Sequence, residues 1–153
     1  MPIFQGSGFS IDLPDRCADT SVYTFLLPTP DNAPMAPFVT IQSEHLEGAN
    51  LESHVRALHQ ALQRDLEAFR VLEFKAGQHA GNDVVLTNVQ WGPAGARISQ
   101  EQAFYLVNGE KKKKVFSLKG TDLTDNFGNS QPAFNHIFRT FAPNDIQLLP
   151  DPV

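Results

Sequence analysis

The segment NLESHVRALHQALQRDLEAF, residues 50–69, decides how this chain folds. Its apolar residues fall at Leu51, Val55, Leu58, Leu62, Leu66 and Phe69. At ~100° per residue they form a stripe about 80° wide, the mark of an amphipathic helix with one face to bury. Asn50 suits the N-cap, where a side-chain oxygen accepts from a free N–H of the first turn. Glu52, Arg56, Gln60, Gln63 and Glu67 occupy the opposite side, and Glu52 with Arg56 forms a favourable i,i+4 pair. Ala57, Ala61 and Ala68 line the border of the stripe.

The flanking sequence changes period from 3.6 to 2. Before the helix, Phe9 to Leu13 alternates and stops at Pro14. Ser21 to Leu27 is β-branched and aromatic, a proline-rich loop runs from Pro28 to Pro37, and Phe38 to Glu44 alternates again. After the helix, strands are expected at Val71–Lys75 and Asp83–Trp91. A turn at Gly92-Pro93-Ala94-Gly95 leads to a hairpin of Ala96–Val107 with Lys112–Leu118, linked through Asn108-Gly109. Gly120 to Ser130 reads as a polar loop. A second helix is expected from Gln131 to Phe141, with Pro132 in its first turn, Phe134, Ile137, Phe138 and Phe141 on one face, and Pro143 as its stop. The order β-β-β-α-β-β-β-β-α predicts an α+β domain over residues 1–143. Its antiparallel sheet of six to seven strands is flanked by two amphipathic helices, and an extended tail follows at 144–153.

Composition narrows the function. The chain has 153 residues, of which 41% are hydrophobic and 19% charged, so it buries a core and is not disordered. A net charge of −5 argues against nucleic acid as a partner. The single cysteine, Cys17, rules out an intrachain disulfide. Uninterrupted apolar runs such as Phe25-Leu26-Leu27 are far short of the ~20 residues a membrane span needs. Met1 to Gly6 carries neither a basic nor an apolar signal region, so a cytoplasmic protein is expected, with no membrane insertion of its own.

No catalytic motif emerges. His45, His54, His59, His79 and His136 are dispersed, and the spacing of His54 and His59 is not that of a zinc helix. Asp122, Asp125, Asn126 and Asn129 do not follow the calcium-loop order and read as a polar turn capping the second helix. No metal or cofactor is expected. Lys111 to Lys114 form a charge run that either protects a sheet edge or binds an anionic surface. The anomaly is the strand Ala96–Val107. On one face, Gln100 and Gln102 interrupt a row of Ala96, Ile98, Phe104 and Leu106. A buried amide left unpaired costs about 1–3 kcal/mol, so each needs a partner. Either the two bond internally or lie exposed near a sheet end, or they are polar anchors in an apolar binding groove.

A set of short segments carries a family resemblance: Phe9-x-Ile11-x-Leu13-Pro14-Asp15, Asp19-x-Ser21-Val22, Phe38-Val39, the helix from Leu51, Val85-Leu86 with Gln90-Trp91, and Gln102-x-Phe104. In this order they resemble the DcrB-related proteins of the Mog1/PsbP-like fold, and among them the Eag chaperones of bacterial type VI secretion systems. The resemblance runs from about residue 4 to 142. It implies a non-enzymatic, homodimeric, cytoplasmic chaperone. Its partner would be the N-terminal transmembrane helices of a PAAR-containing or Rhs-type effector before export. Carried over by position, it implies a groove using Val22, Thr24, Val39, Leu58, Leu62, Leu66, Ile98, Gln102 and Phe116. Leu58 and Leu62 depart from a pattern in which a polar and a small residue can stand there, which implies weaker polar anchoring. Two other functions compete: a non-catalytic module of the same fold that contacts a folded partner, and an enzyme, which would need an enclosed pocket with a paired His and carboxylate.

Overall fold

The computed structural model describes residues 3–6, 9–12, 14, 22–29, 33–108 and 113–143. In chain order the elements are β1 (Ile3–Gly6), β2 (Phe9–Asp12), β3 (Val22–Leu26), β4 (Phe38–His45), α1 (Leu51–Asp65), β5 (Arg70–His79), β6 (Asn82–Trp91), β7 (Ile98–Asn108), β8 (Lys113–Leu123) and α2 (Thr124–Thr140). β1 and β2 form a separate antiparallel hairpin. The other six strands make one sheet in the order β3-β4-β8-β7-β6-β5, antiparallel at every pairing. Four consecutive strands, β5 to β8, meander, and β4 then joins the far side of β8.

The α+β class and the expected antiparallel sheet with two helices are what the chain adopts. Several boundaries move. β1 was not legible in the sequence. The first helix ends at Asp65, not Phe69, because Leu66 turns extended and Ala68 takes a φ of 52°. β8 runs on to Leu123 and α2 starts at Thr124, so the expected polar loop is strand and helix. Pro132 therefore lies inside α2 and not in its first turn. Asn108 stands opposite Lys113 as a strand residue, so the link is 109–112 and not a two-residue turn. That link, with Lys111 and Lys112, lies outside the described residues, as do Cys17 and the expected tail at 144–153.

The two helices cover opposite faces of the sheet, and unequally. α2 lies over β8 and β7. Its Phe127, Phe134 and Phe138 pack on Val39, Ala103, Tyr105 and Leu118. Phe134 has no exposed surface, and it sits where Gly120 has no side chain; a Cβ there would overlap the ring. Asp122 ties the end of β8 to α2: its carboxylate accepts from the Leu123 N–H (2.7 Å), from Asn126 Nδ2 (2.7 Å) and from the Ser130 hydroxyl. The expected cap is not formed: Leu123 is the N-cap of α2, and no side chain bonds the free N–H groups of its first turn. On the other face α1 lies across β5, β6 and β7 and packs Leu51 and Val55 on Val85, Phe104, Leu106 and Val115. No described helix is long and apolar enough to cross a membrane.

Candidate functional site

α1 begins with a reciprocal cap: Asn50 Oδ1 accepts from the Ser53 N–H at 2.8 Å, and Ser53 Oγ accepts from the Asn50 N–H at 3.2 Å. Its two flanks are identified by histidines either side of Val55. His54 is buried and lies 3.4 Å from Glu44 on β4, while its Nδ1 accepts from the Glu47 N–H. His59 is buried on the other flank against Phe69 and Phe74 of the β5 side. Arg56 closes that side, its guanidinium 4.2 Å from the Phe74 ring centre. Leu58 and Leu62 follow His54 at i,i+4 steps, so they border the part of the sheet that α1 leaves uncovered.

Among the described elements, neither helix lies broadly over the α1-side surface of β8, β4 and β3. Side chains alternate across a strand, so the register names its floor. β8 contributes Ser117, Lys119 and Thr121, paired with Gln42, Thr40 and Phe38 of β4. β3 contributes Val22, Thr24 and Leu26, paired with the same three β4 residues. Ile98 and Gln100 of β7 close the inner side. Leu26 is 72% exposed and Val22 48%. The result is a trough with an apolar outer rim on β3, a mostly polar floor in which Ser117 and Thr121 are buried and Lys119 is the one charge, and half-buried Leu58 and Leu62 on its inner wall.

Seven of the nine expected groove residues belong to this side of the sheet: Val22, Thr24, Leu58, Leu62, Leu66, Ile98 and Gln102. Val39 and Phe116 do not. Val39 pairs with Gly120 and is wholly buried in the core under α2, and Phe116 pairs with Tyr105 and packs on Phe141. The period-2 rule places both on the opposite face, so neither lines this trough. Their neighbours Thr40 and Ser117 take those places. Gln102 needs a second correction: it is 0% exposed, beneath α1, and is not a surface anchor.

The two glutamines bond internally. Gln102 Oε1 accepts from the Thr87 hydroxyl at 2.7 Å and lies 2.9 Å from His59 Nε2. An amide oxygen only accepts, so His59 Nε2 carries a proton and donates. Gln102 Nε2 donates to Gln100 Oε1 (2.6 Å), and Gln100 Nε2 donates to the Thr121 hydroxyl (2.9 Å). A directed relay therefore runs from under the helix to the trough floor, every donor pointing outward. Burial holds the His59 pKa below its ordinary value, with the Lys119 and Arg56 charges adding to the effect against the Gln102 bond. Burial likewise lowers the Lys119 ammonium pKa, opposed in part by Glu44. Lys119, His59, Gln100 and Thr121 were not singled out as partners of Gln102 from the sequence; the β7 alternation flagged the glutamines alone.

A second concavity of about 410 Å3 opens on the other face, beside α2, with Glu101, Tyr105, Phe138 and His79 in its lining. Glu101 accepts from Asn88 at 2.9 Å and Gln131 at 3.2 Å, and burial raises its pKa. The Tyr105 hydroxyl donates to the Phe138 carbonyl (2.8 Å). Both polar groups are thus occupied by structural bonds.

Solved structures with this architecture come from unrelated-looking sequences. A Pseudomonas aeruginosa protein of unknown function, PA94, named a candidate regulator, superposes with a TM-score of 0.75 at 20% identity, over 94% of this chain and 97% of that one. LpqN of Mycobacterium tuberculosis, described as involved in cell envelope biogenesis, gives 0.54 at 15% identity, over 78% and 82%. The cyanobacterial PsbP (CyanoP) of Synechocystis sp. PCC 6803 gives 0.50 at 6% identity, over 90% and 99%. These likenesses establish a PsbP-like fold and nothing further. A comparison with curated proteins finds no match. The DcrB family model matches residues 9–140, nearly the whole described sheet and both helices, and the chain belongs to the DcrB family.

Proposed function

We propose that this protein is a non-catalytic, cytoplasmic chaperone of the Eag type. It shields the N-terminal transmembrane helices of a PAAR- or Rhs-type type VI secretion effector until export. One observation carries the reading: among the described residues α1 lies over β5, β6 and β7, and the same face of β3, beyond β4 and β8, presents exposed Val22 and Leu26. A transmembrane helix satisfies its own backbone but exposes ~20 apolar residues to water. At ~25 cal/mol per Å2 of apolar surface, a protein wall that replaces lipid along one side keeps such a helix soluble. The trough supplies that wall from Val22 and Leu26 on one side and Leu58 and Leu62 on the other.

The test is co-expression with the N-terminal apolar segment of an effector encoded beside this protein. The segment should stay soluble and co-purify with the chaperone, and it should aggregate without it. Equal aggregation with and without this protein overturns the reading.

A second reading has one observation in its favour. The α2-side residues of β3, Tyr23 and Phe25, are 63% and 52% exposed, so this edge strand is apolar on both faces. Such an edge suits strand pairing with a folded partner or with a second copy of the chain. We assign it to the homodimer, which leaves the trough free for the client; sedimentation of the purified protein as a monomer at micromolar concentration argues against that assignment.

A further inference from the structure

The trough floor holds one feature that a purely apolar guest does not satisfy. Lys119 lies in the middle of β8, between Gln102 of β7 and Thr40 of β4. It is half-buried, and no carboxylate among the described residues lies within ion-pair distance of it. Glu44 acts on it from a distance but is turned to His54, 3.4 Å away. The other floor residues, Thr40, Gln42, Ser117, Gln100 and Thr121, carry no charge. Thr121 stands two residues along the same strand face, about 7 Å from Lys119 by strand geometry. It is 4% exposed, and its oxygen receives the last bond of the relay from Gln100. Lys119 is thus the charged donor that the β8 floor offers.

While the trough is open, water solvates the Lys119 ammonium. A helix laid over the floor removes that water. An unpaired buried cation is strongly unfavourable, whereas a well-bonded carboxylate opposite it recovers much of the loss. The same carboxylate is unwelcome in lipid and marks a helix that inserts poorly by itself.

Resting on the chaperone reading, we propose that the guest helix carries a carboxylate that pairs with Lys119, so that the trough selects acid-marked apolar helices over uniformly apolar ones. The pairing sets the guest's position along the trough, because only one register brings its acid to residue 119.

The test uses the full chain co-expressed with a soluble carrier fused to one of three 20-residue Leu/Ala helices: unmarked, with one central Glu, or with one central Gln. The read-out is carrier co-purified at matched expression. The Glu helix should be retained about ten-fold better than the other two, the size expected of a close charge pair. Lys119→Met should abolish the preference with the melting temperature preserved, Lys119→Arg should keep it, and Lys119→Glu should transfer it to a helix with a central Lys. Equal retention of the marked and unmarked helices by the wild type overturns the pairing and leaves the chaperone reading standing, as does a preference that survives Lys119→Met. Retention of none of the three helices, with loss of the natural effector segment as well, overturns both.

Discussion

The two faces of the sheet solve the same problem differently. Under α2, Val39, Ala103, Tyr105, Leu118 and Gly120 form an apolar centre filled by three phenylalanines, with the polar Ser99, Glu101 and Asp122 bonded to α2 residues beside it. Under α1, the apolar set of Val55, Val85 and Phe104 gives way within one residue to His59, Thr87 and Gln102. The first face is covered along its middle by a helix that stays. The second is covered over half its width, and the polar relay lies where cover ends. Polar groups in a core cost stability unless all are bonded. Their place at this border therefore marks where the apolar cover of this face ends.

The comparison can be broken first on the α2 side. Phe134→Ala removes the ring that fills the Gly120 gap and should lower unfolding free energy by about 4 kcal/mol in urea titration. A loss under 1 kcal/mol would mean that α2 is as loosely held as the trough. Gln102→Ala comes next, because it leaves the His59 N–H and Gln100 Oε1 without partners. A loss of about 2 kcal/mol is expected by the same titration, and a neutral result would place the relay in solvent.

The third test separates the faces by pH. His59 is held neutral in the fold, with its pKa below the ordinary 6.5. The unfolded chain thus binds its proton first as pH falls. The stability that His59 contributes is complete above pH 6.5 and is lost as pH drops through the folded value, at no more than about 1.4 kcal/mol per pH unit. His59→Gln keeps a donor for Gln102 but does not titrate. Thermal melts from pH 7.5 to 5 should therefore fall less steeply for the variant, and parallel curves would refute the assignment. The smallest effect on stability belongs to the rim. Leu26→Ser, at a position 72% exposed, should change unfolding by less than about 0.5 kcal/mol while reducing co-purification of the effector segment. Unchanged capture would move the client off β3.

The sequence made the fold legible wherever periodicity was strong. The α1 stripe, the β7 alternation and the aromatic face of α2 led directly to two helices on an antiparallel sheet. It failed where tertiary contacts outweigh local preference. Thr124 to Ser130 is poor in helix formers and reads as a loop, yet Asp122 accepts from Asn126 and Ser130 there and ties that helical stretch to β8. Phe69 looks like a continuation of the α1 stripe because the turn at Ala68 returns it to His59, 5.8 Å between ring centres. For the site, the glutamine pair was visible as an interruption of an apolar row, but its partners come from α1, β6 and β8. The trough was harder still. Which face Val39 and Phe116 take depends on the registers β4–β8 and β7–β8, and a shift of one residue inverts the answer. Lys119 lay in a strand extension that the sequence does not announce.

Gly120 gives the last consequence. By yielding its side-chain space to Phe134, it lets a helix seat directly on the sheet backbone, so β8 is clamped from behind at the strand that also floors the trough. On the proposed chaperone reading, a guest entering or leaving in front would meet a stiff anvil and not a pliable wall.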